Sequence, residues 1–406
     1  GLFNLPANAV GPNGAPMGLG EFYYAANNNA TNAGSAFISQ AFITLKSAGS
    51  NDGRLQLGRF TFNDGAELQP QEPTLAWDQQ NRISQRLLGD AAWSGIGRSF
   101  DGVHLSYGPD TSSNVTFMAG RPTEGVYAVN GWDDLNIYAL YLGYTRNLAA
   151  GISQSEIRGF AFGYIDDRGL LKVDNRPLAE READTKAIAI GTFGFDYLFT
   201  IPSPVGRWDI VMWGAYQGGQ WGVQNQRSEG GLGELGWQLP WKRLRPWLRA
   251  SASYASGDHN PYDNVHGTFV QMLPSQRMYA QFPYYALQNL VDYTGQCILR
   301  PTERFSIRAE LHKTKLDDHD DLWYQGSGAF QPSTFGYVGV SSVGKNQKGS
   351  IGGGLANYIG VQADYQIAKS WRVSAYAAGL SGKGVMTPLL HGRKAGMAYS
   401  EVEYTF

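Results

Sequence analysis

The residues best suited to chemistry are arginines on the polar side of extended, amphipathic segments. Arg249, Arg304, Arg308 and Arg372 each occupy such a position. A guanidinium group is planar and permanently charged, so it can bind both oxygens of a carboxylate at once. This pattern predicts that anions are bound along a water-filled surface.

Carboxylates share these polar faces, and they leave a second interpretation open. Glu310, Asp364, Glu401 and Glu403 lie on the same sides of their segments as the arginines. The opposite charges could pair and brace the inner wall, or the arginines could select solutes by charge. The two roles are compatible. Arg98 joins the group if the face opposite Val103, Leu105 and Tyr107 is the wet one.

Histidine placement argues against an enzyme. None of the six histidines lies in a nucleophile-elbow or His-Glu-x-x-His motif, so we predict no catalytic residues and no cofactor. A barrel hydrolase with a triad formed only in space remains the rival from another class. The histidines are His104, His259, His266, His312, His319 and His391.

Acidic residues cluster in two loop regions and raise the question of a metal. Asp317-Asp-His-Asp-Asp321 forms one cluster, and Asp258, His259, Asp263 and His266 form the other. Dense carboxylates can hold calcium, but the spacing matches no ordered calcium loop. We therefore predict solvated loop charge and no metal.

Composition indicates the class of protein that positions these residues. Charged residues make up 17% of the 406 residues, below the roughly 25% of soluble domains, whereas aromatics reach 13% and glycines number 52. Mean hydropathy is −0.32, and no apolar run of about 18 residues could form a spanning helix. The combination is typical of strands that alternate between lipid and a wet lumen, with a soluble all-β protein as the alternative. A net charge of −2 argues against nucleic acid as a partner.

Two-residue alternation predicts one all-β domain over 1–406, a transmembrane antiparallel up-and-down β-barrel. Poor alternation near 135–165 and 184–221 could hide a further hairpin and raise the count from sixteen to eighteen strands. Long connections at 63–97, 120–134, 166–184, 257–289 and 317–354 all fall on one side, and short turns on the other. The sixteen segments are approximately 17–25, 35–46, 54–62, 98–107, 113–119, 135–146, 154–165, 184–199, 207–221, 231–239, 245–256, 290–300, 304–315, 355–367, 371–380 and 396–406.

The C-terminus indicates a bacterial outer membrane. Val402, Tyr404 and Phe406 share one face of the last strand, opposite Glu401 and Glu403. The glutamates require water, so the aromatic face meets lipid. A terminal Phe with this spacing resembles the signal that the outer-membrane assembly machinery reads. The C-terminus and the short turns are then periplasmic, and the long loops are extracellular.

One long loop has a feature of its own. Residues 81–90 show helical apolar spacing inside the segment 63–97. This helix either folds inward and narrows the pore or lies on the surface, and the sequence does not separate the two.

Three stretches resemble the bacterial alginate-export outer-membrane family. They are Leu57-Gly-Arg-Phe-Thr-Phe-Asn-Asp-Gly65, Gly97-Arg-Ser-Phe-Asp-Gly-Val-His-Leu105, and Tyr254-Ala-Ser-Gly-Asp-His-Asn-Pro-Tyr-Asp263 with Gly267-Thr-Phe269. The resemblance implies an eighteen-stranded, monomeric barrel whose arginine-rich constriction passes an anionic uronate polymer. It adds Arg59 and Arg98 to the lumen arginines. Because Lys and Arg total 33 against 35 Asp and Glu, any basic field must be local.

The expected function is an outer-membrane channel for a hydrophilic, anionic solute such as a uronate polysaccharide. The alternative is an uptake porin for sugars or organic acids, and a barrel hydrolase is less favoured. Expected partners are the solute, outer-membrane lipid and lipopolysaccharide, and the assembly machinery.

Overall fold

The computed structural model describes residues 2–4, 27, 30, 32–47, 52–92, 96–110, 112–126, 130–275, 281–282, 284–325, 338–340, 353–386 and 394–405. No helix in these ranges is both long and apolar enough to cross a membrane. The helical elements are α1 (Pro73–Asp78), a π-helical turn (Gln79–Ile83) and α2 (Leu178–Ala183). The strands are β1 (Leu2–Asn4), β2 (Asn32–Gly34), β3 (Ala41–Lys46), β4 (Asp52–Phe60), β5 (Phe100–Asp110), β6 (Ser113–Pro122), β7 (Ile137–Ala150), β8 (Ser153–Asp166), β9 (Ile188–Ser203), β10 (Gly206–Trp221), β11 (Gln224–Gln238), β12 (Trp247–Ala255), β13 (Val265–His266), β14 (Leu290–Thr302), β15 (Phe305–Lys315), β16 (Trp323–Gln325), β17 (Val338–Val340), β18 (Gly354–Ala368), β19 (Trp371–Gly382) and β20 (Lys394–Tyr404).

Most strands join one large sheet with up-and-down topology. Its continuous path runs from β3 to β20 through fifteen strands in chain order, and each is antiparallel to its neighbours. The short β13 pairs with β11 in parallel, whereas β1 with β2 and β16 with β17 form separate two-stranded sheets. Fifteen of the sixteen predicted strands correspond to this path. The remaining one, 17–25, lies outside the described residues.

Two local predictions need correction. Strand β11 begins at Gln224, not at 231, and only residues 222–223 separate it from β10. The polar side chains of Gln226 and Ser228 disguised its first half, because they point inward and bond to each other instead of forming an apolar face. No extra hairpin lies between 135 and 221, a range that is described throughout and holds four long strands.

The two faces of the sheet differ as a membrane barrel requires. Along β7, the side chains of Tyr138, Leu140 and Leu142 are about half exposed, at 49%, 51% and 52%. The alternate residues Ala139 and Tyr141 are buried. The outward face therefore carries an apolar belt for lipid, and the inward face packs against the protein interior.

Two long connections fold into that interior. The first inner segment (residues 61–92 and 96–99) contains α1 and the π-helical turn, and the second inner segment (residues 256–275, 281–282 and 284–289) contains β13. They meet at a parallel bridge between Leu88 and Leu273. The first bonds to β7, β8, β10, β11 and β12, and the second reaches β18 through Gln281 and Gln362. The strands thus surround both segments.

Candidate functional site: an arginine-lined cavity

A cavity of about 450 Å³ lies on the inner side of the barrel wall, near the short-turn ends of β14, β15, β18 and β19. Five arginines and two carboxylates line it, so its net charge is +3. These residues are Arg245, Arg300, Arg304, Arg308, Arg372, Glu303 and Asp364.

The five arginines fall into two groups. Arg245 contacts Glu303, and Arg372 Nη2 lies 2.8 Å from Asp364 Oδ1. Arg300, Arg304 and Arg308 form no ion pair with any residue that the structure describes. Three guanidinium groups are therefore left to attract an anion.

Local structure explains how these side chains converge. Arg304 lies in the two-residue turn between β14 and β15, and Arg308 follows on the inner face of β15. The Arg308 guanidinium donates to Gln362 Oε1 on β18. Arg300 lies on β14 with its guanidinium carbon 5.0 Å from the centre of the Trp247 ring. Strand alternation therefore points Arg300 and Arg308 inward, and the adjoining turn places Arg304 beside them.

The first inner segment forms the opposite wall of the cavity. Trp77 of α1 and Gln80 and Asn81 of the π-helical turn line it. An aromatic ring and two amides facing guanidinium groups can together contact the apolar face, the hydroxyls and the carboxylate of an acidic sugar. The predicted helix over 81–90 is instead at 73–83, and it folds inward.

Arg249, by contrast, braces the interior. Its guanidinium lies 2.7 Å from Asp78 Oδ1 and 3.0 Å from Asp209 Oδ1, and it also contacts Glu234. Its side chain is only 1% exposed, between the rings of Trp77 and Trp247. It faces the lumen, but a solute could not reach it in this arrangement.

A second brace was missed in the sequence. Arg158 on β8 bonds to Asp196 Oδ2 at 2.5 Å and to the Tyr141 hydroxyl at 2.8 Å, with Glu67 of the first inner segment 3.5 Å away. In the sequence, only the two-residue spacing of Glu156 and Arg158 indicates that these charges share the inner face of β8. Aromatic residues on the same face farther along β8 obscure this pattern, because they make the inner face look apolar.

Arg59 and Arg98, the two arginines that the family resemblance adds, lie away from the cavity. Arg59 forms a bidentate ion pair with Asp101 and donates to the backbone carbonyl of Gly131. Arg98 is buried and donates to the carbonyls of Gly89 and Leu273, so it holds the two inner segments together.

The remaining predicted wall residues are on the expected faces. Glu310 is buried and accepts a bond from the Tyr358 hydroxyl at 3.0 Å. Glu401 and Glu403 lie opposite Ser374 and Arg372 in the sheet register, on the inner face of β20.

Two of the three residues of the predicted assembly signal lie in the described part of the chain. Val402 and Tyr404 point outward and are 63% and 52% exposed. Phe406 lies outside the described residues.

The acidic loop clusters meet on the long-loop side. His259 Nδ1 lies 3.0 Å from Asp318 Oδ2, and the candidate ligand atoms of His259, Asp318 and Asp320 lie within 4.8 Å of one another. His259 is largely exposed and contacts both carboxylates, so the cluster is a surface network of polar contacts.

His266 of the second inner segment predicts a pH response. Its ring stacks on Trp221 at 4.2 Å, and its Nδ1 donates to Gln226 Oε1 at 2.7 Å. Burial lowers the pKa of His266 to about 3; the nearby Asp174 opposes this shift and Arg176 adds to it. The pKa of this histidine in the unfolded chain is near 6.5. Neutral His266 therefore contributes its full stabilisation of the fold above pH 6.5, and this stabilisation is lost as the pH falls toward 3.

We therefore expect the second inner segment to open more readily at pH 5 than at pH 7.5, by about 2 kcal/mol. Amide hydrogen exchange of residues 256–275 measures this change. The variant His266→Phe keeps an aromatic ring beside Trp221 and should show a flatter pH profile. An unchanged profile in this variant would assign the response to another group.

The profile of the alginate export family matches residues 19–380. The chain belongs to this family. Among solved structures, the family member described here resembles OccD3 (OpdP) of Pseudomonas aeruginosa, with a TM-score of 0.52 and 10% identity over 90% of this chain and 77% of that one. OprD of the same organism gives a TM-score of 0.47 and 10% identity over 87% and 74%. No protein with a curated description matches the sequence significantly.

These findings confirm the predicted family and the antiparallel transmembrane β-barrel. Together with the interior cavity, membership of the alginate export family indicates an outer-membrane channel for solutes.

Proposed function

We propose that this alginate export family barrel conducts an anionic, hydrophilic solute, such as a uronate polysaccharide, past the arginine-lined cavity. The observation that carries the proposal is the set of three guanidinium groups without an ion pair among the described residues, Arg300, Arg304 and Arg308, in a cavity of net charge +3. We also propose that the short turns and the C-terminus face the periplasm, because outer-membrane barrels have short turns on that side.

Electrostatics supports this function. Low-dielectric walls focus the field of the arginines into the cavity and raise the local concentration of anions. Conduction also requires that each contact be weak enough to release the solute. Arg304 is exposed and Arg308 is half-buried, so both can exchange a carboxylate for water.

Planar-bilayer recordings test the proposal. We expect the double variant Arg304→Ala/Arg308→Ala to lose most of its anion selectivity, measured as the reversal potential under a salt gradient. Loss of two charge-assisted contacts should weaken block by polyuronate about tenfold or more. Arg146→Ala removes an outward-facing arginine and serves as the matched control. Unchanged selectivity and block in the double variant would contradict the proposal.

A small-solute porin is the second candidate, because the two inner segments occupy much of the interior. A cavity of about 450 Å³ accommodates a single sugar acid more readily than a continuous polymer. Permeation of a monomeric uronate without block by the polymer would favour this candidate.

A further inference from the structure

The outer wall of the barrel carries a groove of about 860 Å³ across β14, β15, β18, β19 and β20. Its apolar lining includes Tyr293, Leu311 and Ile359, which are 50%, 59% and 52% exposed. Sheet register places Leu311 and Ile359 side by side, with Gly295 on one side of this pair and Gly379 on the other. A Cβ added at either glycine would meet no atom within 4 Å. The surface therefore forms a trough at each glycine, beside the apolar ridge of Leu311 and Ile359, and an acyl chain can lie in such a trough.

A polar and cationic row crosses the same groove toward the long-loop side. Sheet register aligns Lys313 on β15 with Asn357 on β18, Ser381 on β19 and Lys394 on β20. All four point outward and are exposed. With strands about 4.8 Å apart, the two lysines are about 14 Å from each other.

Among the residues that the structure describes, these lysines have no anionic partner. Lys313, Lys394 and the neighbouring Lys315 form no ion pair with any residue in the described part of the chain. An ammonium group beside an apolar trough at the membrane interface attracts a phosphate whose acyl chains can enter the trough. The arrangement separates two cations across a width that a bisphosphorylated disaccharide can span.

We propose that this groove binds the lipid A part of lipopolysaccharide. The phosphates bind Lys313 and Lys394, Asn357 and Ser381 donate further hydrogen bonds, and acyl chains lie over Gly295 and Gly379. This inference rests on the proposed orientation, which places the long-loop side in the outer leaflet. It does not depend on which solute crosses the lumen.

Lipid retention tests the site. The barrel is reconstituted in phosphatidylcholine vesicles containing bisphosphorylated lipid A and then extracted in mild detergent. Native mass spectrometry measures how much lipid A remains bound. We expect Lys313→Gln/Lys394→Gln to bind lipid A about tenfold more weakly, because two charge-assisted contacts are lost. Gly379→Leu, which fills the trough, should weaken retention as well. Lys369→Gln, in the turn between β18 and β19, is the matched control and should retain lipid A normally.

Two results would overturn the site: equal retention by Lys313→Gln/Lys394→Gln, or equal displacement of lipid A by phosphatidylglycerol, which would indicate binding of any anionic lipid. The same variant should keep the conductance and anion selectivity of the unmodified barrel. A channel whose selectivity does not depend on Arg304 and Arg308 would refute the proposed function and leave the lipid result standing.

Discussion

Replacing Arg249 by Ala is expected to lower the free energy of unfolding by about 3–5 kcal/mol, the cost of breaking a buried ion pair. Urea unfolding in detergent micelles, followed by tryptophan fluorescence, measures the change. Trp77 and Trp247 flank the guanidinium at 4.8 and 4.4 Å, so two of the eleven tryptophans that give the signal lie at this site.

The physical reason is uncompensated charge. Arg249 forms ion pairs with Asp78, Asp209 and Glu234, all of which are buried. After the substitution, Arg82, 2.5 Å from Glu234, is the one cation among the described residues that still forms an ion pair with any of the three carboxylates. Carboxylates buried without partners destabilise a fold strongly.

A rescue variant separates charge from packing. Adding Asp78→Asn and Asp209→Asn to Arg249→Ala should restore part of the lost stability, because the excess negative charge is removed. Arg146→Ala, on the outer face, should change stability little. Failure of the rescue would mean that the stacking of Arg249 on the two tryptophan rings dominates, and would contradict the electrostatic explanation.

Sequence periodicity predicted the wall of this barrel well, but it could not distinguish braces from free cations. Alternation predicts that Arg304 and Arg308 face inward, and both line the cavity. Arg249 satisfied the same pattern and is paired instead, because Asp78 reaches it from a distant part of the chain. Alternation determines the face of a strand, whereas the partners of a charge depend on tertiary contacts.

The first inner segment shows the same limit in another form. Helical spacing over 81–90 was misleading because Leu87 and Leu88 are buried against the second inner segment without being helical. The real helix starts where Pro73 follows Glu72, whose carboxylate caps the Leu75 amide at 2.9 Å. This start has a local signal, since proline favours the first helical position.

Excising residues 66–82 is expected to raise single-channel conductance severalfold without unfolding the barrel. The residues on either side of the excised stretch lie close together. A Cβ on Gly65 would lie 3.0 Å from Ile83 Cγ2, and the Gln85 amide donates to the Asp64 carbonyl at 2.8 Å. A short Gly-Ser linker can therefore join the two ends, and the contacts of Asp64 with Leu87 and Leu88 remain.

Ion pairs between residues of the barrel strands remain after the excision, so the variant should still fold. Arg249 retains Asp209 and Glu234, and Arg158 retains Asp196. Trp77, Gln80 and Asn81 are removed from the cavity, whereas Arg300, Arg304 and Arg308 remain on the barrel wall. Bilayer recordings should thus show a wider pore that still prefers anions, with weaker block by polyuronate because one wall of the cavity is gone. Unchanged conductance in the folded variant would show that ions pass by a route that the first inner segment does not obstruct.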